Sequence, residues 1–248
     1  MRAHLVKYIC MDIILHLISY EVNNLSLIFD VGKSLVPRTG EIVSGDTIEV
    51  LDSGHSTTIV LADGMGSGLK ANILSSLTAK MAIGLLKNGL PLDDVCGMLA
   101  QSLPTTCSNA SVGYSTFTIL QISSDGHADL VEYNNPESII GTNSKVIDIP
   151  RETTTISGKL IGKCSFHMDE NSWVVLISDG VTNAGVGDIW NHGWGQERVQ
   201  TYLSRVVGRF DEPQGLCEDL CSVCQVLYSG KVTDDVSAAA IFAHKNTL

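Results

Sequence analysis

The stretch STTIVLADGMGSGLKANILSSLTAKMAIGLLKNG, residues 56–89, changes its hydrophobic period halfway along. Its first part, Thr57 to Ala62, is an apolar, β-branched run that stops on Asp63, the texture of a strand. Glycines at 64, 66 and 68 punctuate a loop. From Leu69 to Asn88 the period becomes helical: Ile73, Leu77, Met81 and Leu85 recur every four residues as an apolar stripe. Asn88-Gly89, with Pro91 beyond, predicts the stop. A strand, a glycine loop and a helix thus follow in immediate succession.

On the N-terminal side lie LSLIFDVG (25–32) and GEIVSGDTIEVLDSG (40–54), short runs separated by Gly, Asp and Ser turns. Their gaps are too short for crossover helices, so antiparallel pairing is predicted. On the C-terminal side a second helix is predicted from about Leu92 to Leu103, with Asp93 and Asp94 at its positive end. Strands return as TFTILQIS (116–123), HADLVEYN (127–134), SIIGT (138–142), KVIDI (145–149) and WVVLISDG (173–180). One helical region, about Gln196 to Ser229, precedes a last strand in DDVSAAAIFAH (234–244). Strands, two helices, strands, one helix and a strand make an α+β layered pattern without an internal repeat.

The bulk composition fits one large domain. Of 248 residues, 44% are hydrophobic, and with only six prolines no Ser/Gly/Pro-rich linker divides them. Residues 25–248 are read as that domain and residues 1–24 as an N-terminal helical arm. Within the arm, Tyr8–Tyr20 is apolar but interrupted by Asp12 and His16, and it is too short to span a bilayer. It is read as a docking segment for this domain or for another subunit, and no membrane association is expected. A net charge of −11, from 27 acidic and 16 basic residues, repels a phosphate backbone, so no nucleic-acid partner is expected. Seven scattered cysteines in a chain of this size read as reduced thiols and a cytoplasmic location.

Chemistry concentrates at strand ends. Asp46 lies in SGD, Asp63 follows TTIVLA, Asp179 follows WVVLIS, and Asp234-Asp235 precede VSAAAIF. Asp-Gly is by itself a good turn former, which would explain any one of these positions. Four such sites flanking buried strands point further, because carboxylates gathered at one sheet edge repel one another unless a hard divalent cation binds them. The glycine loop also invites a dinucleotide-binding reading. However, Gly64, Gly66 and Gly68 do not make G-x-G-x-x-G, and no second parallel strand with a terminal acid follows.

Taken in order, SGD (44–46), LADGMGSGLKA (61–71), YSTFTI (114–119), LISDGVTNAG (176–185) and DDVS (234–237) resemble the metal-dependent serine/threonine protein phosphatases. The match is closer to their bacterial SpoIIE-type branch, and it covers roughly residues 25 to 243. The resemblance implies a four-layer αββα sandwich, with two antiparallel sheets packed face to face and flanked by helices. It implies a site for two Mn²⁺ or Mg²⁺ ions. Asp63 would bridge them, the Gly64 carbonyl would bind one, Asp179 and Asp234 would complete the first ion's shell, and Asp46 would serve the second. Asp234 aligns better than Asp235 with the last ligand. Such a metal pair lowers the pKa of a shared water and balances charge in an in-line phosphoryl transfer, so no phosphoenzyme is needed.

The implied activity is hydrolysis of phosphoserine or phosphothreonine in a regulatory phosphoprotein, such as a STAS-domain anti-sigma-factor antagonist. The setting would be stress or sporulation signalling within a larger complex. Two departures stand out. Met65 occupies the place of a histidine thought to protonate the leaving alcohol in many relatives, and the phosphate-gripping arginine of eukaryotic members is not evident, leaving Arg38 and Lys70 as candidates. Slow turnover and dependence on a partner follow as expectations. The competing reading is a catalytically silent module on the same fold that binds a phosphoprotein or scaffold.

Other motifs are read as packing or surface. Cys217, Cys221 and Cys224 have the C-x3-C-x2-C spacing of an iron–sulfur ligand set, but LCEDLCSVCQVLY is an amphipathic helix that places them on one face, where free Cys packs as a small hydrophobe. Trp190 and Trp194 are read as packing rather than as a lid. His55, His127 and His167 are read as surface residues.

Overall fold

The computed structural model describes residues 27–102 and 114–245. The N-terminal arm therefore lies outside the described residues. The first sheet contains β1 (Leu27–Val36), β6 (Ile139–Thr142), β7 (Lys145–Ile147), β10 (Ser172–Ile177) and β11 (Val236–Lys245), in the order β1-β11-β10-β6-β7. The second contains β2 (Asp46–Asp52), β3 (Ser56–Gly64), β4 (Ser115–Ser123), β5 (His127–Tyr133), β8 (Glu152–Ile156) and β9 (Lys159–His167), in the order β2-β3-β4-β5-β9-β8. Every pairing within both sheets is antiparallel. Helices α1 (Gly68–Lys87) and α2 (Leu92–Ser102) cover the outer face of the second sheet. Helices α4 (Gln196–Val206) and α5 (Pro213–Leu227) cover the first, and a short α3 (Asp179–Thr182) follows the end of β10. This is the predicted αββα sandwich.

Period-two alternation sorts residues among three apolar layers. Along β3, Ile59 and Leu61 enter the layer between the sheets while Val60 and Ala62 face α1 and α2. Along β11, Ala239, Ile241 and Ala243 face inward, and Ala238, Ala240 and Phe242 face α4 and α5. Both strands are covered on both sides, which is why they read as continuous apolar runs.

Helix α1 corrects the first half of the stripe read from sequence: Met81 and Leu85 pack against the core, but Ile73 and Leu77 do not. Ala71, Ser75, Thr78, Ala79 and Ala82 face the sheet, whereas Leu69, Ile73 and Leu77 are 65%, 58% and 67% exposed. The reason is distance: Gly64 approaches α1 so closely that an added Cβ would stand 2.0 Å from the Ala71 carbonyl oxygen. Only small side chains fit between them. The stop is as predicted, with Gly89 at φ 81° behind the Asn88 cap.

The single C-terminal helical region is in fact two helices. Phe210–Glu212 breaks it, and Pro213 starts α5 at the one position where its missing N–H costs nothing. A hairpin that sequence reading passed over, β8–β9, turns at Ser157-Gly158, both with positive φ (50° and 76°). That two-residue turn between a threonine run and KLIGKCSFH was the available signal. Cys217, Cys221 and Cys224 are buried as predicted, within the layer beneath α5. Trp194 packs edge-on against Tyr202, and Arg198 lies over Trp190, so both tryptophans pack as expected. His55, His127 and His167 are exposed. Among the described residues, no helix is long and apolar enough to cross a membrane.

Candidate metal-binding active site

Antiparallel order brings the start of β2, the end of β3, the end of β10 and the start of β11 to one end of the sandwich. Asp46 and Asp63 are directly opposite one another in the β2–β3 ladder. Across the other sheet, Ser178 N–H donates to the Ser237 carbonyl at 3.0 Å, which sets Asp179 beside the chain entering β11. The two sheets are tied at this end by Ser237 Oγ, which donates to Asp46 Oδ2 at 2.6 Å. Asp63, Asp179 and Asp234 line one open cavity of about 430 Å³, together with Met65, Gly66, Tyr114, Thr116 and Asn134. Asp46, 2% exposed, lies behind them.

The glycines after Asp63 and Asp179 are not turn residues. Neither Gly64 nor Gly180 has positive φ, and each sits where another backbone passes. A Cβ on Gly180 would stand 2.0 Å from the Asp235 carbonyl oxygen, as one on Gly64 would from Ala71. The first Asp-Gly pair lets the helix close on the strand carrying Asp63. The second lets α3 close on the segment carrying Asp234, and Tyr228 OH fixes it there by donating to the Gly180 carbonyl at 2.9 Å.

Crowding carboxylates in a desolvated place makes their charge costly. Asp63 is pushed up to about 9, by burial first and then by the charges of Asp46, Asp179 and Asp234. Asp46 rises to about 7 through burial, although the Ser237 and Ser178 hydroxyls oppose the shift. Asp234 rises to about 6 through burial and then Asp179, and Asp179 moves in the same direction, again through burial first. Among the described residues no three His, Cys, Asp or Glu side chains already stand in ligating geometry. The donor set nonetheless fits hard divalent ions: it is all oxygen, it carries surplus negative charge, and it opens onto a cavity.

The neighbouring acid differs. Asp235 is 3% exposed, and its Oδ1 accepts the Arg38 backbone N–H at 3.0 Å. Its Oδ2 is buried against Gly45 and Ala71 and does not face the cavity. Neither of the two proposed phosphate-gripping residues lines the cavity; Arg38 is exposed nearby, with Nη1 3.4 Å from Ser67 Oγ and its charge felt by Asp234, and Lys70 is exposed on α1. Sequence reading singled out neither Ser178 and Ser237, which brace Asp46, nor Thr116 and Asn134, which line the cavity. The motifs YSTFTI and DDVS contained Thr116 and Ser237, but nothing local marks a hydroxyl as facing a site.

Residues 53–243 match the family model for Stage II sporulation protein E (SpoIIE). The Stage II sporulation protein E of Bacillus subtilis is 21% identical over 223 residues, which is 87% of this chain and 26% of that protein. That of Priestia megaterium is 21% identical over 230 residues, or 89% and 37%. The chain thus spans roughly a quarter to a third of those relatives' length. In solved structures, the PP2C phosphatase domain of SpoIIE from Bacillus subtilis with a fragment of its regulatory domain superposes with a TM-score of 0.74, at 19% identity, covering 90% of this chain and 64% of that one. The RsbU and RsbW domains of a Mycobacterium tuberculosis protein give 0.67 at 14% identity, covering 89% and 61%. RsbX in complex with magnesium gives 0.60 at 15% identity, covering 87% and 95%. The fold, the order of the carboxylate motifs and the family match agree: this chain belongs to the SpoIIE family of PP2C-fold proteins.

Proposed function

We propose that the protein is a metal-dependent phosphoprotein phosphatase acting on phosphoserine or phosphothreonine. One observation carries the reading: aspartates from four separate strand ends gather at one end of the sandwich, three of them lining a single cavity with Asp46 behind, where burial makes their joint ionisation unfavourable without a cation. Asp63, Asp179 and Asp234 are proposed as ligands facing the cavity, with the Gly64 carbonyl beside Asp63 and Asp46 serving from behind. Two Mn²⁺ or Mg²⁺ ions held there would supply Lewis-acid activation of water and charge balance for the phosphoryl group.

The chain's own residues contribute positioning and proton bookkeeping. The Ser237 and Ser178 hydroxyls favour the charged form of Asp46 and so favour its use as a ligand. Release of the protons held by these raised carboxyls accompanies loading, which makes affinity rise with pH. Arg38, held through Ser67, adds positive charge on the Asp234 side of the cavity, where a phosphate dianion would approach. Met65, 50% exposed on the cavity wall, offers no proton, so leaving-group protonation would fall to solvent and turnover would be slow. The proposed substrate class is a phosphorylated regulatory protein of the STAS type. RsbU and RsbX among the structural neighbours support a partner-switching setting.

The test is hydrolysis of a phosphoserine peptide and of p-nitrophenyl phosphate with Mn²⁺, Mg²⁺ or EDTA, for wild type and Asp63→Asn. Activity should require the metal and fall by at least about a thousandfold in the variant, since the proposed bridging ligand is lost. A folded wild type that neither binds Mn²⁺ nor turns over would favour the silent binding module instead.

A further inference from the structure

The cavity lined by Asp63, Asp179 and Asp234 is also lined by Asn134, the first residue of the segment by which the chain crosses from one sheet to the other. Its backbone is held at φ 55°, a left-handed conformation that asparagine tolerates better than most residues. The segment around it is fixed. Thr116 Oγ1 donates to Asn135 Oδ1, and Asn135 Nδ2 donates to Thr118 Oγ1 at 3.0 Å. Behind it, Glu132 Oε1 accepts the Ser138 backbone N–H at 2.6 Å, and Glu132 Oε2 accepts from Arg151 Nε at 3.0 Å. Arg151 also donates to the carbonyls of Ser138, at 2.8 Å, and Ile149. Glu132 is 6% exposed, so this is a desolvated ion pair in which both carboxylate oxygens and all three guanidinium nitrogens are engaged, tying the two ends of one loop.

Against this bracing, the Asn134 carboxamide itself forms no hydrogen bond with any described residue. Asn134 is exposed and lines the same cavity as Asp63, Asp179 and Asp234. A phosphate monoester entering there carries oxygens that need donors. Thr116 has already committed its hydroxyl to Asn135. A neutral amide on a braced, left-handed residue can donate without repelling cations on the acidic side.

We propose that Asn134 contacts the substrate, its carboxamide N–H donating to a phosphoryl oxygen, and that Glu132 and Arg151 act through it as positioning residues. This assignment rests on the phosphatase reading above. The test is steady-state kinetics on a phosphoserine peptide at saturating Mn²⁺, for wild type, Asn134→Ala, Asn134→Asp, Glu132→Gln and the Asn134→Ala/Glu132→Gln pair. Mn²⁺ affinity is measured alongside by calorimetry. Asn134→Ala should raise KM by roughly tenfold to a hundredfold with kcat nearly kept and Mn²⁺ affinity unchanged, as expected for one hydrogen bond to a charged group. Asn134→Asp should be worse, through like charge. Glu132→Gln should raise KM in the wild-type background and add nothing further once Asn134 is Ala. Asn134→Ala kinetics equal to wild type would overturn the contact while leaving the phosphatase reading intact. A loss that merely tracks weaker Mn²⁺ binding would also overturn it. A wild type that hydrolyses nothing and binds no Mn²⁺ would sink both.

Discussion

Asp234 and Asp235 are adjacent and chemically identical, yet their surroundings separate them. Asp234 opens on the cavity, and its carboxyl is pushed to about 6 by burial and by Asp179. Asp235 is committed inward, holding the Arg38 backbone N–H and filling space against Gly45. Asp234→Asn should therefore abolish high-affinity Mn²⁺ binding with little change in melting temperature. Asp235→Asn should keep Mn²⁺ binding within about tenfold while costing about 1–2 kcal/mol of stability, because the buried acceptor is weakened. Calorimetry and thermal melting of the two variants check both halves, and interchanged results would reassign the ligand. The sequence marked the pair but could not split it, since neighbouring residues in an extended chain point opposite ways and nothing local says which way is inward.

At the scale of elements, α1 shows where periodicity misleads. Spacing of four identified the helix correctly, because an apolar residue every turn is a local property of the chain. It identified the buried face only in the second half, where Met81 and Leu85 pack against the core. Close approach at Gly64 leaves room for small residues such as Ala71 and Ser75 in the first half, and Leu69, Ile73 and Leu77 turn outward. Leu77→Gln should thus change stability by no more than about 0.5 kcal/mol, whereas Ala79→Leu should cost about 2 kcal/mol or more by overpacking. Urea denaturation of both variants decides it. Equal and large losses would place the stripe in the core after all. The β8–β9 hairpin was missed for the opposite reason. Its strands carry weak local signals, with four of the five residues of β8 exposed, and pairing at a sheet edge rather than hydrophobic content defines them.

For the whole molecule, the gathered carboxylates link stability to pH and to metal. In the folded, metal-free protein Asp234, Asp46 and Asp63 hold protons up to about 6, 7 and 9, whereas their ordinary value is 3.8. Raised carboxyl values mean that the folded chain binds more protons than the unfolded one between those limits. Their contribution is then fully present below about pH 4 and is lost as pH rises through 6 to 9. The melting temperature in EDTA should accordingly fall between pH 5 and pH 9, and the rise produced by Mn²⁺ or Mg²⁺ should grow over the same interval. A metal-induced rise independent of pH would argue against ligation by these groups. Differential scanning calorimetry across that range, with and without chelator, provides the measurement.

The sequence by itself determined most of the order of strands and helices, apart from the β8–β9 hairpin and the break between α4 and α5, together with the antiparallel α+β class and the strand-end positions of Asp46, Asp63, Asp179 and Asp234. Those follow from period, chain punctuation and gap length, all properties of neighbouring residues. Tertiary structure alone decided that Gly64 and Gly180 serve close approach rather than turns. It also decided which acid of the 234–235 pair lines the cavity, that Ser237 braces Asp46 across 191 residues, and that Asn134 lines the cavity with the aspartates. Each of these depends on which distant backbone passes within a few ångströms, and that is set by the packing of two sheets against each other.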